Sequence, residues 1–180
     1  MLGATLAKMW KDRFDVFSTA KENYAENTVK NFMPFDLLNK SYDTLMNWAR
    51  PDVIIHCAAI TNVDYCENHP EQALAVNAES VKLFLKSDPE VKLIFISSDA
   101  VFPDGLHLAT VNDKTAPENI YGKSKEAGEI AIQNSGKQHL VVRTTIVGKN
   151  INPVSKGFVE WIITSVNDGN VITLLSLIHI

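Results

Sequence analysis

Cysteine is scarce in this chain. Only Cys57 and Cys66 stand among 180 residues. Two thiols make no disulfide framework and suit a reducing compartment. Basic residues are not in excess either. A net charge of -4 and a pI near 5.7 leave no electrostatic footprint for nucleic acid. No apolar run approaches the roughly 20 residues needed to cross a bilayer. The opening "MLGATLAKMWKDRFD" lacks the apolar stretch and small-residue cleavage site of a signal peptide. These absences predict a cytoplasmic protein without nucleic-acid or membrane partners. The five histidines never fall in an H-E-x-x-H or C-x-x-C context, so a metal site has no support. Repeats and low-complexity segments are missing as well. What is present is ordinary for a soluble globular protein, with 46% apolar and 21% charged residues. The length suits one domain with a sizeable core, or one and a fraction.

Short β-branched runs alternate with helical patterns. "DVFST" (15–19), "PDVIIHCAA" from Pro51, "VKLIFISS" (91–98) and "HLVVRTTIV" (139–147) read as strands. The second is almost unbroken in its apolarity, the pattern of a strand buried on both faces. Between them lie helices. "SYDTLMNWA" begins at Ser41, a suitable N-cap. "HPEQALAVNAESVKLFLK" carries Pro70 and Glu71 in its first turn, where a missing N–H and a negative charge both fit. A third helix runs from Tyr121 to Asn134. This order argues an α/β fold with a parallel sheet and crossover helices. Both ends look cut. The first segment reads as a helix with its strand missing, and "NVITLLSLIHI" stops without a polar exit. The expectation is a fragment, because an open central position in a sheet leaves backbone groups unpaired.

Tyr121 and Lys125 form a Y-x-x-x-K pattern on the third helix. Four residues of helix put both on one face, about 6 Å apart along the axis. Carbonyl reduction wants such a pair. A hydride reaching a carbonyl carbon leaves an alkoxide that needs a proton. A tyrosine has a pKa near 10, and a fixed ammonium nearby lowers it. The same spacing also fits two residues on a solvated helix face. In "FISSDAVFPDG", Ser97, Ser98 and Asp99 follow a strand, where ligands of open parallel sheets bind. A hydroxyl there can stabilise developing charge, or simply end the strand as a serine turn. In "HCAAITNVDYCE", Ala58 and Ala59 are small enough for a flat cofactor to approach, or for tight helix–sheet packing. In "PFDLL", Asp36 could accept from an adenine amino group or stand as a solvated carboxylate.

The order "HCAAITNVDYCENHPEQALAVN", "ISSDAVFPDG", "APENIYGKSKEAGE", "VVRTTIVG" resembles the dTDP-4-dehydrorhamnose reductases of the extended short-chain dehydrogenase/reductase superfamily. The resemblance covers nearly the whole chain. It implies a Rossmann-type doubly wound parallel sheet, lacking its first strand and most of the C-terminal substrate domain. Residues 1–150 would form the NAD(P)-binding domain and 151–180 the start of the substrate-binding region. It implies an NADPH- or NADH-dependent oxidoreductase acting on a 4-keto sugar nucleotide. Tyr121 would be the proton donor, and Lys125 would hold the nicotinamide ribose and lower the tyrosine pKa. Ser98 matches the catalytic serine or threonine, with Asp99 beside it near substrate. Ala58, Ala59, Ile60 and Thr61 match a cofactor-contacting loop, Asp36 and Leu37 the adenine-contacting pair, and Gly3 the last glycine of the phosphate loop. A homo-oligomer is left open.

The chain departs from the family pattern in three places. The earlier glycines of G-x-x-G-x-x-G are absent, Ala100 stands for the usual tyrosine, and Ile146 for a frequent tryptophan. A second reading takes the chain as a non-catalytic dinucleotide-binding regulatory subunit, resembling the beta subunit of methionine adenosyltransferase. A sugar epimerase or dehydratase fits "SSDAVFPDG" less well. Lys21 could meet a 2′-phosphate or remain a solvated lysine. With one glycine where three let the backbone approach a pyrophosphate, nicotinamide dinucleotide should shift the thermal midpoint of this chain little. A large stabilisation in a melting experiment would contradict the reading of that loop.

Overall fold

The computed structural model describes residues 2–22, 30–38, 41–88, 90–136, 139–146, 148 and 157–169. Helix α1 (Leu2–Trp10) opens the chain, as expected. Strands β1 (Phe17–Ala20) and β2 (Asn31–Pro34) pair in parallel as one sheet. Helix α2 (Tyr42–Ala49), with Ser41 at its N-cap position, leads to β3 (Val53–His56). Three helical segments follow: α3 (Val63–Asn68), α4 (Pro70–Leu74) and α5 (Ser80–Ser87). The last two are joined through a π-helical turn, Ala75–Glu79. Strand β4 (Lys92–Ser97) ends in a 3₁₀ turn, Asp99–Val101. Helix α6 (Ile120–Gln133), strand β5 (Leu140–Arg143) and helix α7 (Phe158–Asn167) complete the described elements. Strands β3, β4 and β5 form a second parallel sheet, with β4 central.

This is the parallel α/β, Rossmann-type architecture expected from the alternation of elements. Two details differ. The run from Pro51 is not buried on both faces, because Val53 is exposed and Ile54 and Ile55 are half-buried. The physical reason is position: β3 is an edge strand of its sheet among the described residues. The helix expected over 69–86 is interrupted by the π-helical turn Ala75–Glu79, and before it Asn62 caps α3 by accepting a hydrogen bond from the Tyr65 N–H at 2.7 Å. The apolar run 170–180 lies outside the described residues. Among the described residues no helix is long and apolar enough to cross a membrane.

Two apolar clusters hold the elements together. One gathers Phe35, Tyr42, Leu45, Met46, Phe84 and Val91, the other Val81, Leu93, Phe95 and Ile132. Ile54 of β3 packs against both. Along β4, Leu93, Phe95 and Ser97 are buried, while Ile94 and Ile96 on the other face are half-buried. The better buried face carries α6, and the contact is close. A Cβ added at Gly128 would stand 2.7 Å from Phe95 Cζ and 2.9 Å from the Asn77 carbonyl oxygen. At Gly122 it would run into the Ala100 carbonyl oxygen. Glycine is needed at both positions for this approach rather than for any turn. Gly128→Ala should therefore cost about 1–3 kcal/mol by overpacking. Urea denaturation checks this; an unchanged midpoint would show that α6 rides higher than described.

Candidate active site

The carboxyl ends of the second sheet carry the residues singled out above. Past β4, Ser98 is buried and caps the 3₁₀ turn by accepting the Ala100 N–H at 3.2 Å. Its hydroxyl donates to Asp99 Oδ1 at 2.9 Å. The other oxygen of Asp99 accepts from Thr145 Oγ1 at 2.7 Å, which ties the end of β4 to the segment after β5. Helix α6 supplies Tyr121 from its first turn, and its phenol comes near enough to the Ser98 hydroxyl for that group to act on its pKa.

The start of α6 is fixed from two sides. Asn119 caps it by accepting the Gly122 N–H at 2.7 Å, and Glu67 of α3 accepts the Ile120 N–H at 2.7 Å. These contacts satisfy donors that a helix N-terminus otherwise leaves open. Gly122, under the Ala100 carbonyl, sets the depth at which Tyr121 meets Ser98.

Lys125 lies one turn further along α6 and is 2% exposed. Its Nζ stands 4.1 Å from the centroid of the Phe95 ring, a cation–π contact in a water-poor place. Burial pulls its pKa down to about 8, opposed by the charge of Glu129. Glu129 is itself buried and takes two nitrogens of Arg143, with Nη2 to Oε2 at 2.7 Å and Nε to each carboxylate oxygen at 3.1 Å. The Arg143 guanidinium rests over Phe102. Below Lys125, buried His56 donates through Nε2 to Ser80 Oγ at 2.9 Å, because Ser80 gives its own proton to the Val76 carbonyl. Burial, with Lys125 adding its charge, holds His56 neutral with a pKa of about 4.

One expectation is revised by this geometry. Tyr121 is pushed above the ordinary tyrosine range, chiefly by burial, with the Ser98 hydroxyl acting in the opposite sense and Asp99 adding to the rise. The phenol is therefore held protonated rather than poised toward phenolate. Lys125 packs inward over Phe95.

The remaining residues lie in three places. Gly3, in the first turn of α1, sits against Cys57, and a Cβ there would make an ordinary 3.5 Å contact. The 57–61 segment runs past it, with Ala58 and Thr61 exposed and Ala59 and Ile60 half-buried. Burial pushes the Cys57 thiol up to about 11, so it stays protonated. A cleft of about 400 Å³ opens between α1 and the ends of β4 and β5, on the face away from α6. Leu2, Leu6, Ile96, Val142, Thr145 and Ile146 are among its walls. Asp36 and Leu37 stand apart, beyond β2 of the first sheet. Asp36 accepts the Leu38 N–H and pairs with Lys21 at 3.2 Å, both side chains being exposed. The sequence reading missed Asn77, Ser124, Glu129, Arg143 and Thr145. An asparagine inside a helical pattern was the available signal, since it is a poor helix former unless its amide has a task.

Lys125 gives a direct pH test. Its folded pKa lies below the ordinary 10.5. The unfolded chain therefore binds more protons between about 8 and 10.5, and stability should rise with pH across that window. An NMR titration of the Lys125 side chain should show a midpoint near 8, moving lower in Glu129→Gln. A midpoint in the ordinary lysine range would contradict the buried placement.

Comparison with known proteins bears on the family and the fold. A family model described as the RmlD substrate binding domain matches residues 1–176. The dTDP-4-dehydrorhamnose reductase of Escherichia coli K12 is 44% identical over 108 residues, 57% of this chain and 36% of that protein. This chain thus matches about a third of that relative's length. Among solved structures, a hypothetical dTDP-4-dehydrorhamnose reductase from Sulfolobus tokodaii aligns with a TM-score of 0.78 at 28% identity, over 95% of this chain and 60% of the other. The Bacillus anthracis dTDP-4-dehydrorhamnose reductase, solved in complex with NADP, aligns with a TM-score of 0.64 at 30% identity, over 82% and 54%. With its sheet, its Y-x-x-x-K helix and a match along nearly its whole length, the chain belongs to the RmlD substrate binding domain family.

Proposed function

We propose that the protein is a nicotinamide-dependent reductase of a 4-keto sugar nucleotide, similar to dTDP-4-dehydrorhamnose reductase and acting in the cytoplasm. One observation carries the reading. Tyr121 stands near buried Ser98 at the carboxyl end of a buried parallel strand, one helical turn from a buried lysine. The named relatives support a reductase over the regulatory-subunit reading.

The residues present fit a dinucleotide in kind. Gly3 and Ala59 keep side-chain bulk away from the end of β3, and the neighbouring cleft has the size of a small-molecule site. NADPH or NADH, when bound, supplies a hydride to the carbonyl carbon. Ala58, Ala59, Ile60 and Thr61 would border it, with Gly3 at the start of α1, Asp36 and Leu37 toward the adenine, and Lys125 toward the ribose. Tyr121 would give its proton to the carbonyl oxygen as negative charge develops there. Its raised pKa keeps that proton in place at neutral pH. Ser98, beside the phenol, would turn its proton from Asp99 to the same oxygen, and Asp99 would orient Ser98 and contact substrate. Lys125, as a cation beneath the site, would favour the phenolate left after transfer. We divide the chain near residue 150, with the residues beyond it beginning the substrate-binding region.

The test is turnover of a 4-keto sugar nucleotide by a version of the chain as long as its relatives, followed by loss of the reduced-nicotinamide absorbance. Tyr121→Phe should lower the rate by about 10²–10⁴-fold, the range for a lost general acid, with cofactor affinity nearly intact. Lys125→Met should weaken both rate and affinity. Unchanged turnover in Tyr121→Phe would remove that residue as the acid.

A further inference from the structure

Lys125 and Glu129 lie one turn apart on α6, so their side chains share a face of the helix. Both are 2% exposed. A buried ammonium and a buried carboxylate at that spacing ordinarily join, because neither has water to turn to. Here the two stay apart. Among the described residues no ion pair takes up the ammonium, and Nζ rests 4.1 Å from the centroid of the Phe95 ring. The carboxylate is turned to Arg143, the last residue of β5. Arg143 Nε donates to each oxygen at 3.1 Å, and Nη2 donates to Oε2 at 2.7 Å. Behind the fork, the guanidinium carbon stands 4.9 Å from the centroid of the Phe102 ring.

We propose that Arg143 is a positioning residue that withholds the Glu129 carboxylate from Lys125, so that the ammonium stays free to act at the Tyr121 end of the site. Two cations compete for one carboxylate, and denticity decides between them. A planar guanidinium meets both oxygens at once, whereas an ammonium is a point charge. Arg143 also comes from a strand and is backed by Phe102, so its fork is held in place before it binds. Glu129 still acts on Lys125 through its charge, which opposes the effect of burial. It thus favours the charged lysine without holding it. The other titratable groups facing Lys125 are His56 of β3 and Cys57 just beyond it. His56 is held neutral and Cys57 protonated, so neither offers a negative charge to pair with. Without the fork, the nearest cation left to Glu129 is Lys125 itself. The proposal rests on the reductase reading only for what the free ammonium serves.

The experiment needs neither cofactor nor substrate. The Lys125 side chain is titrated by NMR in five chains: unaltered, Arg143→Lys, Arg143→Gln, Glu129→Gln, and Arg143→Gln combined with Glu129→Gln. Arg143→Lys keeps the positive charge and loses the fork. It should raise the Lys125 midpoint by about one pH unit, as a freed carboxylate turns to the ammonium. Arg143→Gln should raise it at least as far. In the Glu129→Gln background the same Arg143→Gln change should give less than half that rise, because no carboxylate is left to turn. A bystander arginine acting only through space would leave the midpoint unmoved in Arg143→Lys and would add equally in both backgrounds. Either of those results would overturn the proposal. Arg143→Lys leaves a cation beside the buried carboxylate, so it keeps the test open should Arg143→Gln not fold. A version of the chain as long as its relatives that shows this coupling yet reduces nothing would remove the reductase reading and leave Arg143 in its role.

Discussion

Helix α6 lies nearer its sheet than a methyl group would allow, and the site depends on that approach. Two positions without side chains make it so: Gly122 under the Ala100 carbonyl and Gly128 against Phe95 and Asn77. Dispersion favours such contact, because every atom in a dense interior has neighbours at optimal distance. The consequence is chemical. A helix held this low brings the Tyr121 phenol to the Ser98 hydroxyl and drives the Lys125 ammonium over an aromatic ring.

Burying charge in this way is costly, and the structure shows how the cost is offset. The Phe95 ring faces the ammonium, and Glu129 adds an opposite charge. Glu129 is in turn held by Arg143 through a forked contact, the geometry in which arginine and carboxylate bind best. Removing one member of such a set strands the others, which is more damaging than never having had them. The same burial acts on Tyr121 in a way that suits a proton donor. A phenol kept in its acid form has a proton to give, and in the proposed reaction the cation below would act once that proton has left.

Much of this was legible in the sequence, and for definite reasons. Period and β-branched content marked β3, β4 and β5, because parallel strands must be apolar. Tyr121 and Lys125 share a face because a helix dictates it, and Ser98 follows a strand end that the run to Phe95 and Ile96 made plain. Other features could not be read. The exposure of Val53 depends on where β3 sits in the sheet, which no local pattern records. The ion pair of Glu129 and Arg143 joins residues 14 apart in sequence, and Asn77 reaches Ile60 across 17. Such contacts are decided by how the helices pack. The direction of the Tyr121 shift was misjudged for the same reason: spacing reveals a neighbouring charge, but only packing reveals how much water has been excluded.

In the reaction we propose, a carbonyl held beside Tyr121 and Ser98 receives a hydride from the cofactor and a proton from the phenol. Reduction of a 4-keto sugar nucleotide by a version of the chain as long as its relatives, with nicotinamide cofactor deuterated at the transferable position, tests it most directly. One deuterium is expected on the sugar carbon that bore the ketone. Product without deuterium at that carbon, or a ketone recovered unchanged, would contradict it.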